Sequence, residues 1–319
     1  MEVSTRAKER FCKDCNIPIR LFQEPYFMER LKLYDRFYGT IRKWNLFLEE
    51  LNKYHCEQDY FEEYNRVKDA AIMGIKESES YQRFNKEDMN YFAVSHKNLP
   101  GKDIFKASFD RKTFISIDMK KANFTALHHY ATDMFQSPKG IADTWEDFIG
   151  GFTENRHIIE SKYIRQVILG NCNPKRHITY ERYLMDGVLT KLLDKCFSIE
   201  RVVFFSNDEI VLEVSDLEVG AQKEMLKRVA NCVKKMEFSL RTEYFLLHKI
   251  GGMDGYYKEI YMEDGQTAIE FKCLDNYMLP FVMRAFLEEE VTEGDRTFYH
   301  EGLLARFVEI PRVVVDEKK

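Results

Sequence analysis

The chain has 319 residues, 45% hydrophobic and 32% charged, with a formal net charge of −5. Its 25 Phe and 18 Tyr supply enough apolar surface for a sizeable core, which excludes a mainly disordered chain. Gly (15) and Pro (7) are too scarce for a linker or a collagen-like repeat.

The first ten residues contain no apolar h-region, so no secretory leader is expected. No apolar run is long enough for a membrane span, and no membrane partner is expected. The seven scattered cysteines then read as reduced thiols in a cytoplasmic, intracellular setting. Cys12 and Cys15 form a CxxC that His55 and Cys56 could complete as a zinc site. Their spacing departs from zinc-finger patterns, and free cysteines in a packed segment are the simpler reading.

Residues 1–100 read as a helical region. From Tyr26 to Leu51 apolar residues recur in steps of three and four, as on one face of a long helix after Pro25. Tyr60, Tyr64, Val67, Ala71 and Ile75 mark a second helix. The aromatic stripe suits core packing better than base stacking. After the turn signal at Pro100-Gly101, residues 104–118 predict a hairpin turning near Asp110 to Lys112. Helical stretches are expected to about Phe135, over 144–148 and 154–169, and, after the breaker Gly170 to Pro174, over 179–196. Residues 201–214 read as two β-runs around a polar tip, 220–236 as a helix and 242–248 as a strand. Beyond residue 250 come strand-like runs with an Asp264-Gly265 turn, a helix over 279–287 and a β-rich end over 297–315.

Two acidic points stand out. Asp118 ends an apolar strand, and Asp208 and Glu209 sit at a hairpin tip. Carboxylates so placed on neighbouring strands can hold divalent cations about 3.5–4 Å apart, as in two-metal phosphoryl transfer. Each has an ordinary alternative: Asp118 as a helix N-cap, Asp208-Glu209 as a polar turn.

The stretch 111–250 resembles the palm of reverse-transcriptase-like and viral RNA-polymerase-like enzymes. Ser116-Ile-Asp118-Met-Lys-Lys-Ala-Asn-Phe124 is similar to motif A, and Arg165 to Arg176 around Gly170 to motif B. Ser206-Asn-Asp208-Glu209 is similar to motif C, and 226–247 to motif D. The resemblance implies an α/β (α+β) fold: a palm-like antiparallel sheet backed by helices at 101–250, with a helical region before it. A small β-rich extension, 251–319, would be thumb-like or complete the palm. It implies a nucleotidyltransferase, a nucleic-acid polymerase extending a 3′ end, and a viral or phage setting. Asp118, Asp208 and Glu209 would be catalytic and hold Mg²⁺ or Mn²⁺. Asn123, Phe124, Lys121, Arg165, Gly170, Asn173, Lys175 and Arg176 would meet nucleoside triphosphate or template. Asn123 falls where enzymes that exclude ribonucleotides carry a bulky aromatic, which predicts ribonucleotide tolerance. A one-residue shift would make Phe124 the gate instead.

The chain departs from that pattern in having Glu at the second motif C carboxylate, no Ser-Pro in motif B and little chain after motif D. The Asp-Glu hairpin also resembles guanylyltransferases and diguanylate cyclases, whose two acidic motifs lie closer in sequence. A degenerate palm serving as a non-enzymatic nucleic-acid-binding or assembly subunit is the remaining alternative. From Gly101 to Met185 there are 13 Lys and Arg against 10 Asp and Glu, so local charge permits a nucleic-acid partner despite the overall acidity.

Overall fold

The computed structural model describes residues 3–193 and 195–315. The first region is helical: α1 (Thr5–Asp14), α2 (Tyr26–Tyr38), α3 (Thr40–Leu51), α4 (Glu57–Glu77) and α5 (Glu79–Lys86). The long helix expected from Tyr26 to Leu51 is two helices. Gly39 takes φ +58° between them, a left-handed conformation that glycine adopts without Cβ strain. The apolar periodicity survives the break because both helices face the same core.

The expected hairpin over 104–118 has only its second arm, β1 (Thr113–Met119). The first arm is irregular, with one 3₁₀ turn at Ala107–Phe109. Ile104 and Phe109 instead cover Phe114, Val211, Phe245, Leu247, Tyr256 and Ile260 as a small second core. The segment is apolar because it is a lid on the sheet and not a strand within it.

Helix α6 (Ala122–Tyr130) follows, then a short hairpin of β2 (Gln136–Ser137) and β3 (Gly140–Ile141), and α7 (Trp145–Gly150). The helix expected over 154–169 is α8 (Arg156–Glu160) and α9 (Lys162–Gly170). Ser161 divides them, and its hydroxyl caps α9 by accepting from Ile164 N (2.9 Å). Helix α10 (Pro174–Leu192) starts five residues before the expected Thr179, with proline in its first turn.

The hairpin β4 (Val202–Phe205) and β5 (Glu209–Glu213), helix α11 (Val219–Val233) and strand β6 (Leu240–Ile250) follow as the sequence suggested. The sheet then continues through β7 (Gly255–Tyr261) and β8 (Thr267–Lys272), joined across Asp264-Gly265. Helix α12 (Leu279–Leu287) and a separate hairpin, β9 (Thr297–His300) and β10 (Leu303–Arg306), end the described chain.

The fold is thus mixed α/β: a six-stranded antiparallel sheet, order β4-β5-β1-β6-β7-β8, with helices, a helical N-terminal region and a small C-terminal hairpin. Alternation along each strand gives the sheet two unlike faces. Ile115, Ile117, Ile210, Leu212, Tyr257 and Phe271 join the main core with the helices. On the other face apolar residues fill one end under the 104–109 lid, and charged residues fill the end where β1 finishes. The C-terminal part is tied to the first helices by a buried ion pair, Arg30 Nη1 to Asp295 Oδ1 at 2.8 Å.

Among the described residues no helix is long and apolar enough to cross a membrane. All seven cysteines are free. No group of three His, Cys, Asp or Glu lies close enough to hold a metal among the described residues, the CxxC included. Burial pushes the Cys15 thiol up to about 12 and Cys12 higher still, which opposes the thiolate that zinc requires.

Candidate functional site

The register of β1 builds the site. Asp118 pairs with Glu209 on β5 and with Arg241 on β6; Ser116 pairs with Val211 and Glu243. Cross-strand partners share a face, so Asp118, Glu209, Arg241 and Glu243 form one charged patch. Asp208 stands beside it at the hairpin tip, where its carbonyl accepts from Met119 N (2.8 Å). Strand β7 adds Lys258, and β8 adds Glu270 opposite it. The three acidic residues singled out from the sequence are therefore brought together. Asp118 is no helix N-cap: the residue before α6 is Lys121.

The charges are unevenly balanced. Arg241 pairs with Asp118 (3.2 Å) and Glu243 (3.1 Å). Lys258, only 5% exposed, lies 3.9 Å from both Glu209 and Glu243 and over the Phe245 ring. Even so, burial raises the pKa of Asp118, with Arg241 opposing and Asp208 adding to the rise. Burial likewise raises Glu209, with Lys258 opposing and Asp118, Glu243 and Asp208 adding to it. Both carboxylates therefore sit in surroundings that favour more positive charge than the two side chains provide. Glu270 is the contrast: burial pushes its carboxyl up, but Lys272, then Lys258 and Arg241, hold it below the usual range.

The donor set is all carboxylate oxygen, which suits Mg²⁺ or Mn²⁺. Although Asp118, Asp208 and Glu209 are neighbours, no three such side chains among the described residues are close enough to hold a metal by themselves; Mg²⁺ is commonly held by one or two carboxylates with water and substrate phosphate as its other ligands. The Ser116 hydroxyl, fully buried on the same face two residues before Asp118, has no hydrogen-bond partner among the described residues. An orphaned hydroxyl beside undercompensated carboxylates fits a site that takes up a cation and its water. Arg241 is half exposed, so its displacement from Asp118 costs little. Because both carboxyl pKa values are raised, protons compete for this site above the ordinary carboxylate range. Mn²⁺ affinity, read by calorimetry, is expected to fall steadily from pH 7 to pH 5; a flat profile would contradict the placement.

The remaining sequence candidates divide. Helix α9 carries Lys162 and Arg165, and burial lowers the pKa of both. At Lys162 the neighbouring Arg165 and Lys272 add to that fall, and Glu270 and Asp118 oppose it. The buried Arg165 Nε has no hydrogen-bond partner among the described residues. Lys121, in a left-handed conformation at the start of α6, is ion-paired with Glu146. Asn123 is half-buried, and its Oδ1 accepts from Phe124 N (2.9 Å). Phe124 is in the core, packed on Phe135, His128 and Trp145, so of the two residues Asn123 is the one with exposed surface.

The motif B residues are placed differently from the expectation. Arg176 donates from Nε and Nη2 to Phe84 O (3.1 and 2.7 Å) and from Nη2 to Glu87 O (2.5 Å). A guanidinium satisfies the orphan carbonyls at the end of α5 in this way, and it is occupied there. Asn173, at φ +54°, donates from Nδ2 to Asn85 Oδ1 (2.9 Å). Both residues fasten α10 to α5. Lys175 is exposed in the first turn of α10. Gly170 closes α9 with no left-handed φ, and a Cβ there would meet nothing within 4 Å.

Sequence reasoning missed Arg241, Glu243, Lys258, Glu270 and Glu181. Glu181 is buried on α10, paired with His177 Nδ1 (3.1 Å); burial raises its carboxyl, His177 opposes the rise and Asp208 adds to it. Alternating charges on β6 to β8 were the available signal, but they read equally as solvent-facing positions. Comparison with protein-family models, curated proteins and solved structures finds no match to this chain.

Proposed function

We propose that the protein is a metal-dependent nucleotidyltransferase that extends a nucleic-acid 3′ end and accepts ribonucleotides. The observation that supports this reading is the pairing of Asp118 with Glu209 across β1 and β5, with Asp208 beside them, on the face turned away from the main core. Asp118 and Asp208, with Glu209 adjacent, would hold Mg²⁺ or Mn²⁺. A cation bound there supplies charge neutralisation at the phosphoryl oxygens. The chain's own part is positioning. The sheet register fixes the carboxylates relative to one another. Lys258 keeps Glu209 and Glu243 from repelling each other. Lys162 and Arg165 on α9 offer positive charge to a triphosphate.

Labelled NTPs and dNTPs, incubated with and without template in Mg²⁺ or Mn²⁺ and sized on a gel, test the reading. Ribonucleotide incorporation is expected to equal or exceed that of deoxynucleotides. Strict dNTP use would overturn the ribonucleotide assignment, and no product under any condition would overturn the transferase.

A second reading, a non-enzymatic palm-like nucleic-acid-binding or assembly subunit, is favoured by the cations already seated on the carboxylates. It predicts nucleic-acid binding without incorporation in the same experiment.

A further inference from the structure

A second strongly charged surface lies on the other side of the sheet. Helix α11 buries Gln222, Met225, Val229 and Val233, and Tyr244 Oη on β6 donates to Gln222 Oε1 (2.5 Å). The outward side of the helix and the residues just after it carry Lys223, Lys227, Arg228, Lys234 and Lys235, all exposed, against Glu224 within the helix, with Glu218 at its N-cap and Glu237 beyond its end. Lys223, Lys227 and Lys234 follow the spacing of a single helical stripe, about 16 Å long at about 1.5 Å rise per residue. Lys195, just past the end of α10, joins them. Cys196 Sγ lies 3.5 Å from Cys232 Sγ on α11, and Lys195 and Arg228 both bear electrostatically on the Cys196 thiol.

None of these six cations forms an ion pair among the described residues. Elsewhere some cations are ion-paired, as with Lys8–Glu24, Lys112–Glu213 and Arg201–Asp216, and others such as Lys97, Lys102 and Lys175 are exposed singly, so what marks this surface is six cations close together. Six like charges close together, with no ion pair among the described residues, repel each other, and a polyanion relieves that repulsion. A membrane surface is a poorer match, because membrane-binding helices set large apolar residues beside their cations. The exposed large apolar residue on α11 is Val219 alone.

We propose that α11 with Lys195, Lys234 and Lys235 is a sequence-independent docking surface for a nucleic-acid phosphate backbone. It is separated from the carboxylate patch by the sheet, so a strand held there is anchored apart from the reacting end. The proposal stands whether or not the carboxylate patch is catalytic.

The test is fluorescence anisotropy with a labelled mixed-sequence RNA strand of about 30 nucleotides, across a salt series. The triple variant Lys223→Gln/Lys227→Gln/Lys234→Gln is expected to bind at least about tenfold more weakly at 0.1 M salt. Its slope of log K against log salt should shrink by about 2, at roughly 0.7 per single-strand phosphate contact. The three positions are exposed, and circular dichroism checks that the fold is kept. An unchanged slope and affinity in the triple variant, no RNA binding by the unaltered protein, or stronger binding to phosphatidylserine vesicles than to RNA would each overturn the proposal.

Discussion

Asp208→Ala is expected to reduce nucleotide incorporation on the order of 10³-fold, or to background, with the fold intact. Within the described residues its carboxylate's hydrogen bond is the one it accepts from Ser206 Oγ (3.0 Å), so the truncation removes little that holds the hairpin together. Asp118→Asn should lose incorporation equally and raise the melting temperature. Burial lifts the Asp118 carboxyl above its usual pKa, so at neutral pH the ionised form sits in surroundings that oppose it. Protonation, or a neutral isostere, relieves that cost as pH falls through the raised value or once the charge is gone. The lost pair with half-exposed Arg241 offsets only a small part. Activity lost with stability gained is the mark of a carboxylate kept for chemistry. Unchanged incorporation in Asp208→Ala would remove the site.

The largest effect on stability is expected at Asp295. Its carboxylate accepts from Arg30 Nη1 (2.8 Å), Arg284 Nε (2.9 Å), and Thr292 N and Oγ1 (2.9 Å each), and it is 4% exposed. Asp295→Ala leaves the buried Arg30 guanidinium without its carboxylate, while Arg284 keeps its second partner Glu289, and the loss costs about 3–5 kcal/mol. Urea unfolding should show the midpoint fall in one cooperative transition, because the pair joins α2 to the last part of the chain. Asp295→Asn keeps an acceptor oxygen and should lose less. A loss below about 1 kcal/mol in Asp295→Ala would show that the surrounding carbonyls alone hold Arg30.

What the sequence made legible follows from where information is local. The 202–213 hairpin and the helix Leu279–Leu287 were readable because polar tips and chain breakers bound them. Asp118 and Asp208 could be placed together because a strand end and a hairpin tip each fix a carboxylate's position along its own element. The breaks at Gly39 and Ser161 were hidden, since apolar periodicity continues through them. Residues 104–109 misled because a lid on a sheet is as apolar as a strand. Arg241 and Lys258 were invisible for a different reason. Their meeting with Asp118, Glu209 and Glu243 depends on the register of β1 against β6 and of β6 against β7, a non-local property. Arg176 shows the same limit: its position in a motif-B-like loop says nothing about the carbonyls of α5 that occupy it.

The strand order has a consequence for how the protein comes into being. Strand β1 lies in the middle of the sheet, between β5 and β6, yet it precedes both in the chain. The run β6-β7-β8 is a meander of neighbours that can pair as soon as each turn closes. Strand β1 must wait for partners made far downstream, with its apolar face bare in the interval. The carboxylate patch is therefore assembled late in folding, after most of the chain has been synthesised. A nascent chain that ends before β6 holds Asp118, Asp208 and Glu209 but lacks Arg241, Glu243 and Lys258, so the charge around those carboxylates is incomplete until the last strands are made.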